Sequence, residues 1–249
     1  MKKTFFSLAV AALAAFHLNA GEINVFAAAN VAYAFDELKA EFAKSNPDTK
    51  VTVTLGASGA LSTHIKNGAP ADVFMAANMK FVQDLYDTKF AVTQPVVYAQ
   101  GALALFTIRD IDLAKGINAV EGLKAIAIAN PETAPYGKAS VEALKKAGIY
   151  DKVEKNVILA KSIGEALSQA LSAADVGFIA ASAMYDKKIA EYKEGKNFIL
   201  IDPALYTPID QGMVILKHGE NNPEAKAFYD FIRSDRAKEI FRKFGYVVP

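Results

Sequence analysis

The chain has 249 residues, 52 % of them hydrophobic and 22 % charged, with no cysteine, no tryptophan and a formal net charge of +1. That length suits one large domain or two small ones, and that composition excludes a disordered chain. Without cysteine there is no disulfide framework, thiol nucleophile, iron–sulfur cluster or thiolate zinc site. The balance of 28 basic and 27 acidic residues gives no pull toward nucleic acid or anionic lipid.

Lys2 and Lys3 precede an apolar run from Phe5 to Phe16, and Leu18-Asn19-Ala20 reads as a small-residue cleavage site. This pattern predicts a secretory signal over 1–20, cleaved after Ala20, with Gly21 as the first mature residue. The apolar run is too short for a membrane span, which needs about 20 residues. No cysteine stands at the cleavage point to carry a lipid. The expected location is a bacterial periplasm.

Strands and helices alternate thereafter. Strands are predicted over 23–27, 50–55 and 72–76 from their β-branched and aromatic content. Between and after them, helical spacing predicts helices over 31–42, 59–67 and 79–86, the second stopped by Gly68. The pattern restarts with strands over 124–129, 156–160 and 176–180, and helices over 136–147 and 163–172. Such βαβ alternation implies parallel strands joined by right-handed crossovers. Residues 71–78 and 174–182 also echo each other: Ala71-Asp72-Val73-Phe74-Met75-Ala76-Ala77-Asn78 against Ala174-Asp175-Val176-Gly177-Phe178-Ile179-Ala180-Ala181-Ser182.

Two apolar, β-rich segments, 95–106 and 208–216, separate the units and read as strands that cross between lobes. The lobes are then 21–98 with 207–249, and 99–206. Two helices close the chain, over 223–232 with Asn222 as cap and 235–244 with Ser234 as cap. Two lobes joined by two crossing strands can hinge around a cleft.

In open α/β sheets ligands sit beyond the carboxyl ends of the strands. Four strand-to-helix junctions qualify: 26–30 with Asn30 as the expected cap, 55–60 with Ser58 as the cap, 129–137, and 160–165, where Ser162 and Glu165 have capping-box spacing. Each offers unpaired N–H groups and the positive end of a helix dipole, which together bind anions without a basic side chain. The small residues there let a ligand approach the main chain closely. Lys138 and Lys161 lie beside these junctions and read as solvated.

The segments Val25-Phe26-Ala27-Ala28-Ala29-Asn30, Gly56-Ala57-Ser58-Gly59-Ala60-Leu61, Asn67-Gly68-Ala69-Pro70-Ala71-Asp72-Val73-Phe74 and Asn130-Pro131-Glu132-Thr133-Ala134-Pro135-Tyr136-Gly137 occur in this order. Together they resemble the periplasmic molybdate-binding proteins of molybdate ABC transporters, over essentially all of 22–249. The resemblance implies an α/β fold of the two-lobed periplasmic-binding-protein type (type II), with mostly parallel sheets and two crossing hinge strands. It implies a binding protein that closes on molybdate or tungstate and delivers it to the transmembrane permease of an ABC importer. It implies no enzyme activity and no resident cofactor, and the chain is expected to act as a monomer.

By the same resemblance, the metal oxyanion is held by Asn30, by the hydroxyl and N–H of Ser58, and by main-chain N–H groups at Tyr136 and Ile163. The tyrosine that some members supply from the segment here reading Ile179-Ala180-Ala181-Ser182 is absent, so either the Asn30 amide or the Tyr136 side chain compensates, or the selectivity differs. Sulfate or phosphate is the alternative ligand within the same reading. An exported hydrolase is the other: Ser58 and His64 lie near each other, but there is no Gly-x-Ser-x-Gly elbow and His64 falls mid-helix on another face. Two histidines in the mature chain, without clustered spacing, make no metal site.

Overall fold

The computed structural model describes residues 21–249, so the signal expected over 1–20 lies outside the described residues. The first half of the chain gives β1 (Glu22–Ala28), α1 (Ala32–Ala43), β2 (Lys50–Gly56), α2 (Ser58–Lys66), β3 (Val73–Ala76), α3 (Met79–Asp87), β4 (Val96–Gly101) and β5 (Leu103–Phe106). There follow β6 (Ile126–Ala129), α4 (Pro135–Lys146), α5 (Tyr150–Val153), β7 (Val157–Ala160), α6 (Ile163–Ala170), β8 (Val176–Ala180), β9 (Phe198–Leu200), β10 (Ile209–Ile215), α7 (Pro223–Ile232) and α8 (Asp235–Lys243). No described helix is long and apolar enough to cross a membrane.

The strands form two five-stranded sheets, β2-β1-β3-β10-β4 and β7-β6-β8-β5-β9. In the first, β1 pairs in parallel with β2 and β3, while β10 is antiparallel to β3 and β4. In the second, β6 is parallel to β7 and β8, while β5 is antiparallel to β8 and β9. Each sheet therefore has one reversed strand, and it is the strand whose chain arrives from the other sheet. The two echoing segments are β3 and β8, which hold the same third position in their sheets. Both are wholly buried, which explains their continuous apolar sequence.

The segment 95–106 does cross, but as two strands: β4 pairs in the first sheet through Gly101 opposite Ile209, and the chain changes sheet at Ala102. Residues 99–101 thus pair with the first lobe rather than the second. The segment 208–216 does not cross as a strand. It is β10, held between β3 and β4 in the first sheet, and the return lies in the connection between β9 and β10. An apolar strand buried on both faces reads alike in sequence whether it crosses or stays.

Helix stops follow backbone chemistry. Gly68 and Gly148 take φ values of 89° and 70° after α2 and α4, a region that costs a Cβ-bearing residue. Asn222 and Ser234 cap α7 and α8 by accepting from the N–H groups of Glu224 and Ala237. One core of the first lobe is aromatic: Phe228 of α7 meets Phe42 of α1 edge-on at 5.3 Å and Phe35 at 6.1 Å. Each such pair adds about 0.5–1.5 kcal/mol beyond its buried area and ties α1 to α7.

Candidate functional site

The carboxyl ends of β1, β2 and β3 in one lobe and of β6 and β7 in the other open on one small cavity. Asn30, Ser58, Tyr136 and Ile163 all line it, with Ala28, Ala29, Gly56, Ala57, Ala77, Ala134 and Pro135. None of these lining residues carries a charge at neutral pH. Lys138 and Lys161 are exposed, as expected, and Lys138 faces Glu142 at 3.6 Å. Among the described residues no group of three His, Cys, Asp or Glu side chains could hold a metal cation. A bound species must be satisfied by dipoles and hydrogen bonds alone.

Two of the expected caps sit elsewhere. Ala28 caps the 3-10 turn Ala29–Val31, so Asn30 lies inside that turn rather than ahead of it. Ala57 is the cap of α2, and Ser58 is its first helical residue. The shift frees both side chains from capping. Ser58 Oγ instead accepts the N–H of Ala77 at 2.9 Å, which leaves its own hydroxyl hydrogen to donate. The first-turn N–H groups of Ser58, Tyr136 and Ile163 have no acceptor within their own helices. Ser162 caps α6 as expected, accepting from Glu165 N–H at 3.2 Å, while Glu165 accepts from Lys161 N–H at 2.8 Å.

The small residues serve the protein's own close approach. A Cβ on Gly137 would stand 1.9 Å from the carbonyl oxygen of Ala129, so only glycine lets α4 begin against the end of β6. A Cβ on Gly59 would stand 3.0 Å from both Cα and O of Thr133 in the other lobe. The Gly59 N–H donates to that same oxygen at 2.8 Å, and Ser182 Oγ of the second lobe donates to Asn30 O at 3.1 Å. The lobes are closed on each other around the cavity.

Behind the cavity lies a polar network that sequence reasoning missed. Asn30 Nδ2 donates to Gln211 Oε1 at 2.8 Å and to the Tyr246 hydroxyl at 2.9 Å. The Tyr98 hydroxyl donates to Gln211 Oε1 at 2.9 Å, the Tyr246 hydroxyl donates to Asn30 O at 2.8 Å, and Gln211 Nε2 reaches the Tyr136 hydroxyl at 3.4 Å. The available signal was a glutamine in the apolar strand Ile209-Asp210-Gln211-Gly212-Met213; the tyrosines read as ordinary core. Burial pushes the Tyr246 hydroxyl up to about 12 and those of Tyr98 and Tyr136 well above their usual value. All three stay neutral hydrogen-bonding groups at any physiological pH.

The segment that lacks the tyrosine ends in Ser182, which is buried and holds the Asn30 main chain. The hydroxyl beside Asn30 comes instead from Tyr246, near the C-terminus. The Tyr136 side chain points to Gln211 and Gly101 rather than replacing the missing group. His64 is exposed on α2, and no base accompanies Ser58 among the lining residues, which leaves the hydrolase alternative without its machinery.

Residues 23–247 match the family model of bacterial extracellular solute-binding proteins. The chain belongs to this family. It is 36 % identical over 231 residues to the molybdate-binding protein ModA of Rhodobacter capsulatus, covering 92 % of this chain and 89 % of that one. The periplasmic molybdate-binding protein of Azotobacter vinelandii superposes with a TM-score of 0.83 at 32 % identity, covering 91 % of this chain and 99 % of that one. The sulfate-binding protein SubI of Mycobacterium tuberculosis, at 16 % identity and a TM-score of 0.70 over 91 % of this chain and 86 % of that one, shares the fold alone. This solute-binding protein therefore has the type II two-lobed α/β fold, and the relatives that resemble it are transport proteins rather than enzymes.

Proposed function

We propose that this protein captures molybdate or tungstate in the interlobe cavity and hands it to the permease of an ABC importer. The observation that carries the reading is the convergence of Asn30, Ser58, Tyr136 and Ile163 on one cavity whose lining residues include no charged side chain. Ser58 supplies a hydroxyl and an N–H, Tyr136 and Ile163 supply main-chain N–H groups at helix starts, and Asn30 supplies its amide. Charge-assisted hydrogen bonds of this kind are roughly twice as strong as neutral ones and offset the several kcal/mol needed to desolvate an ion. Dipoles fixed in two separable lobes release the ion when the lobes part, which suits handover.

The same reading assigns the lobes to the two sheets, with change-overs at Ala102 and just before Ile209. It takes residues 1–20 as an export signal cut after Ala20, and the mature protein as a periplasmic monomer. The test is a thermal-unfolding panel with molybdate, tungstate, sulfate, phosphate and chromate. Ligand at a hundredfold excess over Kd stabilises by about 2.7 kcal/mol, a readily measured rise in Tm. Molybdate and tungstate are expected to give the largest rises. A panel in which no oxyanion moves the Tm contradicts the reading, and one led by sulfate or phosphate reassigns the ligand.

A further inference from the structure

Asn30 is fully buried and lines the cavity, yet its Oδ1 has no hydrogen-bond partner. Both hydrogens of its Nδ2 are spent, on Gln211 Oε1 and on the Tyr246 hydroxyl. The end of the amide left for the cavity is thus an acceptor, the wrong polarity for an unprotonated oxyanion. What holds it so is Gln211, whose Oε1 accepts from both Asn30 and Tyr98.

Most members of this network have a second arrangement on the same heavy-atom positions, in which the Tyr98 hydroxyl accepts from Gln211 and gives up its donated bond. An amide exchanges donor and acceptor when turned end for end, and a tyrosine hydroxyl both donates and accepts. With Gln211 turned, its Nε2 donates to Asn30 Oδ1 and to the Tyr98 oxygen, and its Oε1 accepts from the Tyr136 hydroxyl. The Tyr246 hydroxyl then donates to Oδ1, while Ser182 Oγ keeps its bond to Asn30 O. The orphaned acceptor is satisfied, and Asn30 Nδ2 faces the cavity as a donor.

We propose that Gln211 is a positioning residue that sets which end of the Asn30 amide faces the cavity, and that anion capture turns the two amides together. This rests on the cavity being the oxyanion site. A fully deprotonated oxyanion interacts favourably only with the turned arrangement, so its binding shifts the pair toward it. A hydrogen oxyanion brings its own O–H and is accommodated by the arrangement in which Oδ1 faces it. Gln211 thereby tunes discrimination between oxyanions of equal charge without touching them.

The test compares Gln211→Glu and Gln211→Met with the parent, by calorimetric titration with molybdate and with hydrogen phosphate as competitor. At about pH 8.5 both anions carry about two negative charges, so a repulsive carboxylate at 211 weakens them alike. A carboxylate only accepts, which holds Asn30 Nδ2 on residue 211 and Oδ1 toward the cavity. The expected result is a fall of about tenfold or more in the molybdate-to-phosphate affinity ratio for Gln211→Glu, the size of one lost charge-assisted hydrogen bond. Gln211→Met, which leaves Asn30 free to turn, is expected to keep the ratio within about threefold of the parent. A parallel loss of both anions in Gln211→Glu makes Gln211 merely structural and overturns the proposal. A parent that binds no molybdate overturns the functional reading as well. Should Gln211→Glu fail to fold, the side-chain amide resonances of labelled parent protein decide: those of Asn30 and Gln211 must both shift on adding molybdate, and a stationary Gln211 pair overturns the proposal.

Discussion

The two halves of the cavity come from sheets of the same strand order but differ in what they present. The first lobe brings side chains: the Asn30 amide, backed by Gln211 and Tyr246, and the Ser58 hydroxyl, fixed by Ala77 N–H. The second brings helix beginnings at Tyr136 and Ile163, both with buried side chains, the Tyr136 hydroxyl reaching across to Gln211 of the first sheet. Main-chain donors are indifferent to the side chain that carries them, whereas a hydroxyl or amide is lost with one substitution. On the proposed reading, the first lobe is therefore the half that discriminates, and the second is the half that closes and completes the shell.

The sharpest way to break this asymmetry is Asn30→Asp. It places a carboxylate beside a dianion in a water-poor cavity, and molybdate affinity should fall by more than about a hundredfold in a calorimetric titration. Next comes Ser58→Ala, which deletes a hydrogen bond to a charged group worth about 1.5–3 kcal/mol, or roughly 10- to 150-fold in Kd. It also leaves the Ala77 N–H unpaired, so a fall in stability of about 1–3 kcal/mol should accompany it in urea unfolding. Gly59→Ala tests closure instead of contact. Its methyl meets the Thr133 main chain of the facing lobe, so affinity should drop roughly 5- to 30-fold, by about 1–2 kcal/mol, and ligand-induced compaction in solution scattering should diminish.

Ile163→Ala is the counter-case. The core truncation should cost about 2–5 kcal/mol of stability, while the Kd for molybdate in the folded protein stays within about threefold, since the donor is main chain. A large affinity loss there would erase the distinction between the lobes. The smallest effect concerns pH. With Tyr246 raised to about 12, and Tyr98 and Tyr136 raised well above their usual value by burial, binding should be flat from about pH 7 to 9. The sign for stability follows from the same shift. The unfolded tyrosines ionise near pH 10 while the folded ones do not, so stability is intact below about pH 10 and falls as pH rises toward 12.

How much of this was legible in the sequence depends on the range of the interaction. Helix stops such as Gly68 and Gly148, the caps Asn222 and Ser234, and the strands of both βαβ units follow from local chemistry and were readable. The four strand-to-helix junctions were readable too, while the four residues within them, Asn30, Ser58, Tyr136 and Ile163, were named through the family resemblance. The caps at Asn30 and Ser58 were misplaced by a residue or two, since Ala28 and Ala57 show no capping side chain to mark the true helix start. The path of 208–216 was misread because a doubly buried strand carries no sign of its partners. Gln211, Tyr98 and Tyr246 were invisible as a group. Gln211 and Tyr246 meet Asn30 only after the chain has returned to the first sheet, up to 216 residues away in sequence, and Tyr98 joins them through Gln211.

The central claim is that one metal oxyanion sits between the first lobe's side chains and the second lobe's helix starts. Anomalous diffraction from crystals of the mature protein grown with tungstate tests it most directly, because the heavy atom reports its own position. The account predicts a single strong peak in the interlobe cavity, within hydrogen-bonding range of Asn30 and Ser58 on one side and of the Tyr136 and Ile163 N–H groups on the other. A peak elsewhere on the molecule, or a closed cavity without one, would contradict it.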